Sequence, residues 1–280
     1  MYKKYLILAS KQDQAGMNIV KALEQFRNPM LDAMKKDAKG FDIELIETDI
    51  VYDEGMDYEK ISKYDFIIFA SKHQSEKGGK TLSLHAPGNW ISASPEHGGK
   101  SKQVCPTSAL FQKQTFEILD KNAKEAGLDE YQVTLECTHH GPLIEKPCIF
   151  IEIGATETEW EDRRAGFVIA KTINQIINEF EENPHREIAV GIGGPHYCPG
   201  FNKIQLNSNI AVSHIIPQYV LPIDEGMIQE AIEKTQEEVD FALVDWKGCG
   251  KSEERQRIID LLEKNYIQWK RTSEVSREAS

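Results

Sequence analysis

Long apolar runs are missing from this chain: nothing in its 280 residues approaches the roughly 18 consecutive apolar positions of a membrane-crossing helix. Cysteine is sparse as well. The five cysteines are scattered, odd in number and never spaced CxxC, which excludes a disulfide framework and a paired-cysteine zinc site and fits a reducing cytoplasm. There is no HExxH, so the helical zinc-protease motif is absent. Internal repeats and low-complexity linkers are lacking too. Lysines precede an apolar stretch at Met1–Ser10, but that stretch is short and Lys11-Gln12-Asp13 follows at once, so it reads as a first strand and not a secretory signal. One compact domain over residues 1–270 is expected, with a polar tail at 271–280.

Net positive charge is also lacking. The formal charge is −12, which argues against a nucleic-acid partner. Its distribution argues otherwise. Six lysines (Lys72, Lys77, Lys80, Lys100, Lys102 and Lys113) stand between Ser71 and Lys113 against Glu76 and Glu96, so this segment is +4 and the remainder −16. His73, His85, His97 and the pairs Gly78-Gly79 and Gly98-Gly99 share the stretch. It reads as a basic, glycine-rich excursion at about residues 72–103. A solvated loop is the plain account; a surface meeting a phosphate backbone is the sharper one.

What is present is alternation of strand and helix patterns. Tyr5–Ser10, Asp42–Thr48 and Asp65–Ser71 read as strands, with a helix over Gln14–Phe26 and a short second helix running to about Lys39. Leu82–Ala86 is a short strand, and Pro106-Thr107-Ser108 opens a helix that Gly127 ends. Val133, Leu135 and Cys137 alternate with Thr134, Glu136 and Thr138, the period of a half-buried strand. Pro147–Ile153 is apolar on both parities and reads as buried on both faces, interrupted by Glu152. Thr156 and Glu159 fit a capping box, and Ile169, Ile173, Ile176, Ile177 and Phe180 form a core-facing stripe. Strands at Glu187–Gly194, Ala211–Ile216 and Ala242–Trp246 and helices at Asp224–Thr235 and Glu253–Lys264 complete the pattern. The expectation is an α/β fold: a central mixed, largely parallel sheet flanked by helices on both faces.

The chemistry gathers at strand ends. His85, His139, His140 and His196 stand there, with His214 inside its strand, and open α/β sheets place their sites at such ends. A buried carboxylate such as Glu152 is costly unless paired, protonated or metal-bound. Imidazole nitrogen and carboxylate oxygen are zinc ligands, and zinc brings the pKa of a bound water to about 7. The loop from His139 to Lys146 is short for a parallel crossover. An antiparallel hairpin would set Glu152 roughly 17 Å from the histidines, where it would face Glu157 or His196 or serve the backbone. Cys198, beside His196 in a Pro-flanked turn, is the cysteine to test as a nucleophile; Cys137 and Cys148 read as small core residues. Trp246–Ser252 resembles the end of a P-loop, but Asp245 replaces the required glycine. A phosphate held at a helix start with help from Lys251 is the surviving reading, beside an ordinary glycine turn.

Leu84-His85-Ala86-Pro87-Gly88-Asn89-Trp90, Thr138-His139-His140-Gly141-Pro142, Glu152-Ile153-Gly154 with Trp160, Gly193-Gly194-Pro195-His196-Tyr197 and His214-Ile215-Ile216-Pro217 together resemble the archaeal and plant type of D-aminoacyl-tRNA deacylase. The resemblance implies a fold similar to peptidyl-tRNA hydrolases and nucleoside phosphorylases. It implies hydrolysis of the ester joining a D-amino acid to the tRNA 3′ end, releasing free tRNA, by a cytoplasmic, monomeric enzyme with zinc, up to two ions per chain. Carried onto these blocks, His85, His139, His140 and His196 are the expected catalytic groups. His140, His196 and Glu152 are the expected metal ligands, with His139 orienting or exchanging protons. Asn89, Thr138, Gly141, Pro142, Gly194 and His214 would line the substrate pocket. Lys72, Lys77, Lys80, Lys100, Lys102 and Lys251 would meet the tRNA. A nucleoside phosphorylase or nucleosidase and a non-catalytic RNA-binding module are the rival readings, and a zinc peptidase-like hydrolase is a third.

Overall fold

The computed structural model describes residues 2–26, 39–52, 57–75, 78–91, 97–183 and 186–278. Its strands are β1 (Lys4–Ser10), β2 (Gly40–Ile46), β3 (Phe66–Gln74), β4 (Thr81–His85), β5 (Gly88–Asn89), β6 (Gln103–Val104), β7 (Gln132–Leu135), β8 (Cys148–Ala155), β9 (Glu187–Ile192), β10 (Ile210–Ile216), β11 (Phe241–Val244) and β12 (Trp269–Arg271). The helices are α1 (Gln14–Leu23), α2 (Tyr58–Ser62), α3 (Ala109–Glu125), α4 (Glu157–Trp160), α5 (Arg163–Glu179), α6 (Pro199–Asn207), α7 (Glu225–Glu233), α8 (Ser252–Lys264) and α9 (Thr272–Glu278).

The large sheet runs β2-β1-β3-β8-β4-β7, parallel except where β4 meets β8. Period-two alternation sorts its side chains. Tyr5, Ile7, Phe66, Ile68, Ile149, Ile151, Leu82 and Leu84 face the core under α1, α3 and α5. Leu6, Leu8, Ile67, Phe69, Cys148 and Phe150 face a smaller core on the other side. β8 is buried along its whole length, as its apolar run requires of a strand covered on both faces. Asp13, Ser108 and Asp162 cap α1, α3 and α5 by accepting main-chain N–H groups, and the Thr156–Glu159 capping box is formed.

A second, four-stranded parallel sheet, β10-β9-β11-β12, was not separated from the first by the sequence pattern. α3 packs on both sheets and joins their cores, while α7 and α8 cover the far face of the second. Residues 72–103 are only partly an excursion: they finish β3 and supply β4 and β5, so the glycine-rich stretch is stitched into the sheet. Arg271 ends β12, and the helix Thr272–Glu278 packs on α6 through buried Val275. The short helix expected before Lys39 lies outside the described residues. β7 and β8 are neither hairpin nor crossover neighbours, because β4 lies between them.

Candidate active site

On the face that carries Phe69 and Phe150, the next positions along the strands are polar. Cross-strand register sets Ser71 beside Glu152 and Glu152 beside Ser83, with His73 and His85 one step either way. Glu136, just past β7, continues the same parity. The chain then crosses to the second sheet: Cys137 N donates to His196 O at 2.9 Å and Thr138 N to Ile215 O at 3.0 Å. Gly88 N donates to His140 O at 2.7 Å, which ties the following turn to β5. One short segment, 136–140, therefore joins both sheets and carries two of the histidines.

Two sets of groups result. Nδ1 of His85, His139 and His140 donates to the main-chain oxygens of Ala86, Cys137 and Gly141 at 3.1, 2.8 and 2.7 Å. That fixes the tautomer and leaves each Nε2 with a lone pair. These three residues offer ring nitrogens within 4.8 Å of one another. In the second set, Glu136 Oε1 lies 3.0 Å from His73 Nδ1 and its Oε2 lies 3.0 Å from His196 Nε2. Both oxygens are buried, yet neither forms an aligned hydrogen bond. Tyr197 Oη sits 2.8 Å from His73 Nε2, which leaves Nδ1 facing the carboxylate.

Burial dominates the proton affinities of the first set. It lowers His85 to about 4 and His140 to about 3, and with help from His140 and His85 it holds His139 well below its ordinary value. In the second set burial is overcome. Cys137 and Glu136 raise His196 to about 10, Glu136 raises His73, and His196 and His73 hold Glu136 well below the usual carboxylate range. Burial and the nearby Glu136 push Glu152 well up, so it is the protonated neighbour of a charged carboxylate.

A cavity of about 210 Å³ opens beside His139, His140 and His196 and is walled by Asn89, Trp90, Ile91, Thr138, Tyr219 and Val220. A larger depression of about 520 Å³, beside Lys3, Lys39 and Lys63, lies at the amino ends of β1 and β2, away from all of these histidines. Of the expected pocket residues, Asn89 and Thr138 line the cavity. Gly141 is joined to it through N–H donation to His97 O at 2.7 Å, and Pro142 follows in the same turn. His214 stands behind it, with Nδ1 3.2 Å from Thr138 Oγ1. Gly194 packs on the Asp245 loop beside His196.

The four expected catalytic histidines do come together. The expected ligand trio does not form one set: no group of close-lying ligand atoms holds any two of His140, His196 and Glu152, and Glu136 takes the place given to Glu152 beside His196. Cys198 is not available as a nucleophile, because it is fully buried and burial raises its thiol pKa well above the ordinary value. Cys137 is a buried core residue, as read, and also borders the site, with Sγ 3.6 Å from His196 Nδ1 and 3.2 Å from Tyr219 Oη. Cys148 is core.

The lysines divide. Lys113 is buried against Gln205 O and Glu117 and cannot reach a nucleic acid. Lys102 pairs with Asp224, Lys80 lies 3.9 Å from Glu130, and Lys72 sits over the Trp160 ring. Lys100 and Lys251 are exposed, and Lys77 is outside the described residues. His73, Glu136, Tyr197 and Tyr219 escaped the sequence reading as site residues. The signal for Glu136 was its parity with Thr134 and Thr138, taken as a solvent face when it is the site face.

Residues 60–270 match the family model described as D-aminoacyl-tRNA deacylase. The D-aminoacyl-tRNA deacylase of Methanocaldococcus jannaschii is 31% identical over 275 residues, covering 96% of this chain and 99% of that protein. Those of Thermococcus onnurineus and Pyrococcus furiosus are 35% and 36% identical, covering 92% and 91% of this chain and 96% and 95% of their own. The crystal structure of AF0625, a conserved protein of unknown function, superposes with a TM-score of 0.83 at 26% identity, over 98% of this chain and 97% of that one.

Proposed function

The chain belongs to the D-aminoacyl-tRNA deacylase family, a hydrolase of the aminoacyl-tRNA ester, and from that premise we propose that it cleaves D-aminoacyl-tRNA at the histidine–glutamate cluster with zinc. The donor set suits that ion. Imidazole nitrogens and a charged carboxylate are its ordinary ligands. Both Glu136 oxygens and His85 Nε2 are buried without a hydrogen-bond partner. His73, Glu136 and His196 would hold the ion once the two imidazoles give up the protons that face Glu136, in place of the His140, His196 and Glu152 set drawn from the sequence. Bound zinc supplies Lewis acidity, which polarises an ester carbonyl and acidifies water.

The remaining steps fall to the chain. The ester carbonyl enters the cavity bounded by Thr138 and Asn89, where Trp90, Ile91 and Val220 exclude bulk water. His139, held by the Cys137 carbonyl, presents Nε2 as the base that takes a proton from the attacking water. Its low proton affinity returns that proton to the ribose oxygen as the carbon–oxygen bond breaks. Free D-amino acid and tRNA with a restored hydroxyl leave. His85 and His140 stay neutral and keep the imidazole of His139 in place.

The observation that carries this reading is the buried Glu136 carboxylate facing two imidazoles with no aligned hydrogen bond. Metal analysis of the purified protein, followed by deacylation of D- against L-aminoacyl-tRNA with and without chelator, tests it. The expected result is cleavage of the D form, abolished by chelator and restored by zinc. One zinc per chain fits the assignment; two would place the second on His85, His139 and His140 and remove His139 as the base. Full activity in chelator rejects the metal. The same reading has the enzyme act as a 31.8 kDa monomer in the cytoplasm, where its five buried free cysteines stay reduced.

A further inference from the structure

The strands of the second sheet are parallel, so the loops leaving their carboxyl ends lie on one side. Beyond β9 stands His196. Beyond β10 stands Tyr219, whose ring is 52% exposed while its hydroxyl lies 3.2 Å from Cys137 Sγ. Beyond β11 stands Trp246, and Arg271 ends β12. These loops touch. A Cβ on Gly248 would meet Gly194 N at 2.1 Å, and Gln218 N donates to Gly194 O at 2.9 Å. Across three interstrand steps the row spans roughly 14 Å.

The far end of this row is basic and aromatic. Arg271 lies 3.7 Å and Arg255 5.5 Å from the Trp246 ring centroid. Both arginine Nε atoms are buried without a hydrogen-bond partner, and that of Arg271 lies 3.9 Å from Glu274. Among the described residues no ion pair is found for Arg255, Lys247 or Lys251, and both lysines are exposed. The neighbouring acids are largely engaged. Asp245 accepts from Lys247 N and Gly248 N at 3.2 and 3.3 Å, and Glu254 pairs with Arg257 at 2.9 Å. Glu253 remains as an exposed acid. Stacked arginine and tryptophan planes with free cations beside them are what single-stranded nucleic acid engages, through its base faces and phosphates.

We propose that the single-stranded 3′ end of the substrate RNA runs across the carboxyl ends of this sheet, from Trp246 with Arg255, Arg271, Lys247 and Lys251 to His196 and the other histidines, with Tyr219 bordering its end on the far side of His196. This path rests on the deacylase reading and replaces the lysine segment 72–113 as the main RNA contact. It is tested with the full-length chain carrying Lys251→Glu and Arg255→Glu together, at the N-cap and in the first turn of α8. Anisotropy of an uncharged RNA hairpin ending in single-stranded ACCA, titrated with salt, reads binding. KM for D-aminoacyl-tRNA against that for D-aminoacyl-adenosine reads the strand.

The double variant should bind the hairpin about 10-fold or more weakly and lose about one to two units of log–log salt slope. KM should rise for the tRNA and not for the adenosine ester. Wild-type affinity and slope overturn the path, as does an equal loss on hairpin and adenosine ester. A wild-type chain that binds the hairpin with these dependences but cleaves neither ester would reject the deacylase reading and leave the path standing.

Discussion

His85, His139 and His140 give their Nδ1 protons to main-chain carbonyls, whereas His73 and His196 face the Glu136 carboxylate at 3.0 Å. Both sets stand at strand ends where the two sheets meet, with the His139 and His196 ring centroids 4.6 Å apart. The first is held neutral by burial, although His139 Nε2 stands 3.5 Å from Glu136; the second holds charge because the same carboxylate, at 3.0 Å, outweighs the burial. What an imidazole can do is thus decided by how closely its ring nitrogen approaches the buried carboxylate. Lone pairs without charge suit proton exchange, and an ionised carboxylate with unaligned oxygens suits a cation that displaces the protons of its two imidazoles.

The most severe way to break this contrast is Glu136→Gln, expected to lower turnover by roughly 10³-fold and to lose the zinc, measured by single-turnover deacylation and metal content. His139→Ala should cost roughly 10² in kcat with KM little changed, since it removes a proton carrier and not a ligand. Equal metal loss in both variants would erase the distinction. Glu152→Gln is the internal control. Glu152 is already protonated through burial and Glu136, so the amide nearly copies it and turnover should fall less than about 10-fold. Metal removal has a smaller, thermodynamic effect. With free zinc at 100 times its Kd, chelation should lower stability by about 2.7 kcal/mol in a thermal melt. Glu136→Gln should show no chelator response.

The same contrast explains what the sequence disclosed. β1 and β8 were legible because runs buried on both faces leave an unbroken apolar signature, and α5 because its isoleucines repeat at helical spacing. The second sheet was not separable, since its strands carry the same signature and only α3 packing on both sheets distinguishes them. His85, His139, His140 and His196 were legible as polar residues at strand ends. Glu136 was not: alternation assigns it to a polar face, and nothing local tells a solvent face from a site face. His73 hid for a related reason, because the lysines around it made the stretch look like a solvated loop when it is the end of β3. Lys113 misled in the opposite sense, since a lysine that pairs with Glu117 inside the fold counts as basic charge in the chain and contributes none to the surface.

The mildest test uses a histidine outside both sets. His214 is fully buried in β10, with Nδ1 3.2 Å from Thr138 Oγ1, and burial lowers it to about 3. Unfolded, it titrates near the ordinary value of about 6.5. Below that value the unfolded chain takes up a proton that the folded chain refuses, so its contribution to stability is whole above pH 6.5 and lost as pH falls toward the folded value. One such group gives a slope of up to about 1.4 kcal/mol per pH unit. His214→Asn should remove one proton's worth of slope from the acid limb of a denaturant-melt series, while leaving the alkaline limb unchanged. Because the residue backs Thr138 and not the Nε2 lone pairs, kcat should fall by no more than a few-fold. An unaltered acid limb would mean that His214 is protonated inside the fold, and burial alone would then no longer account for the neutral set.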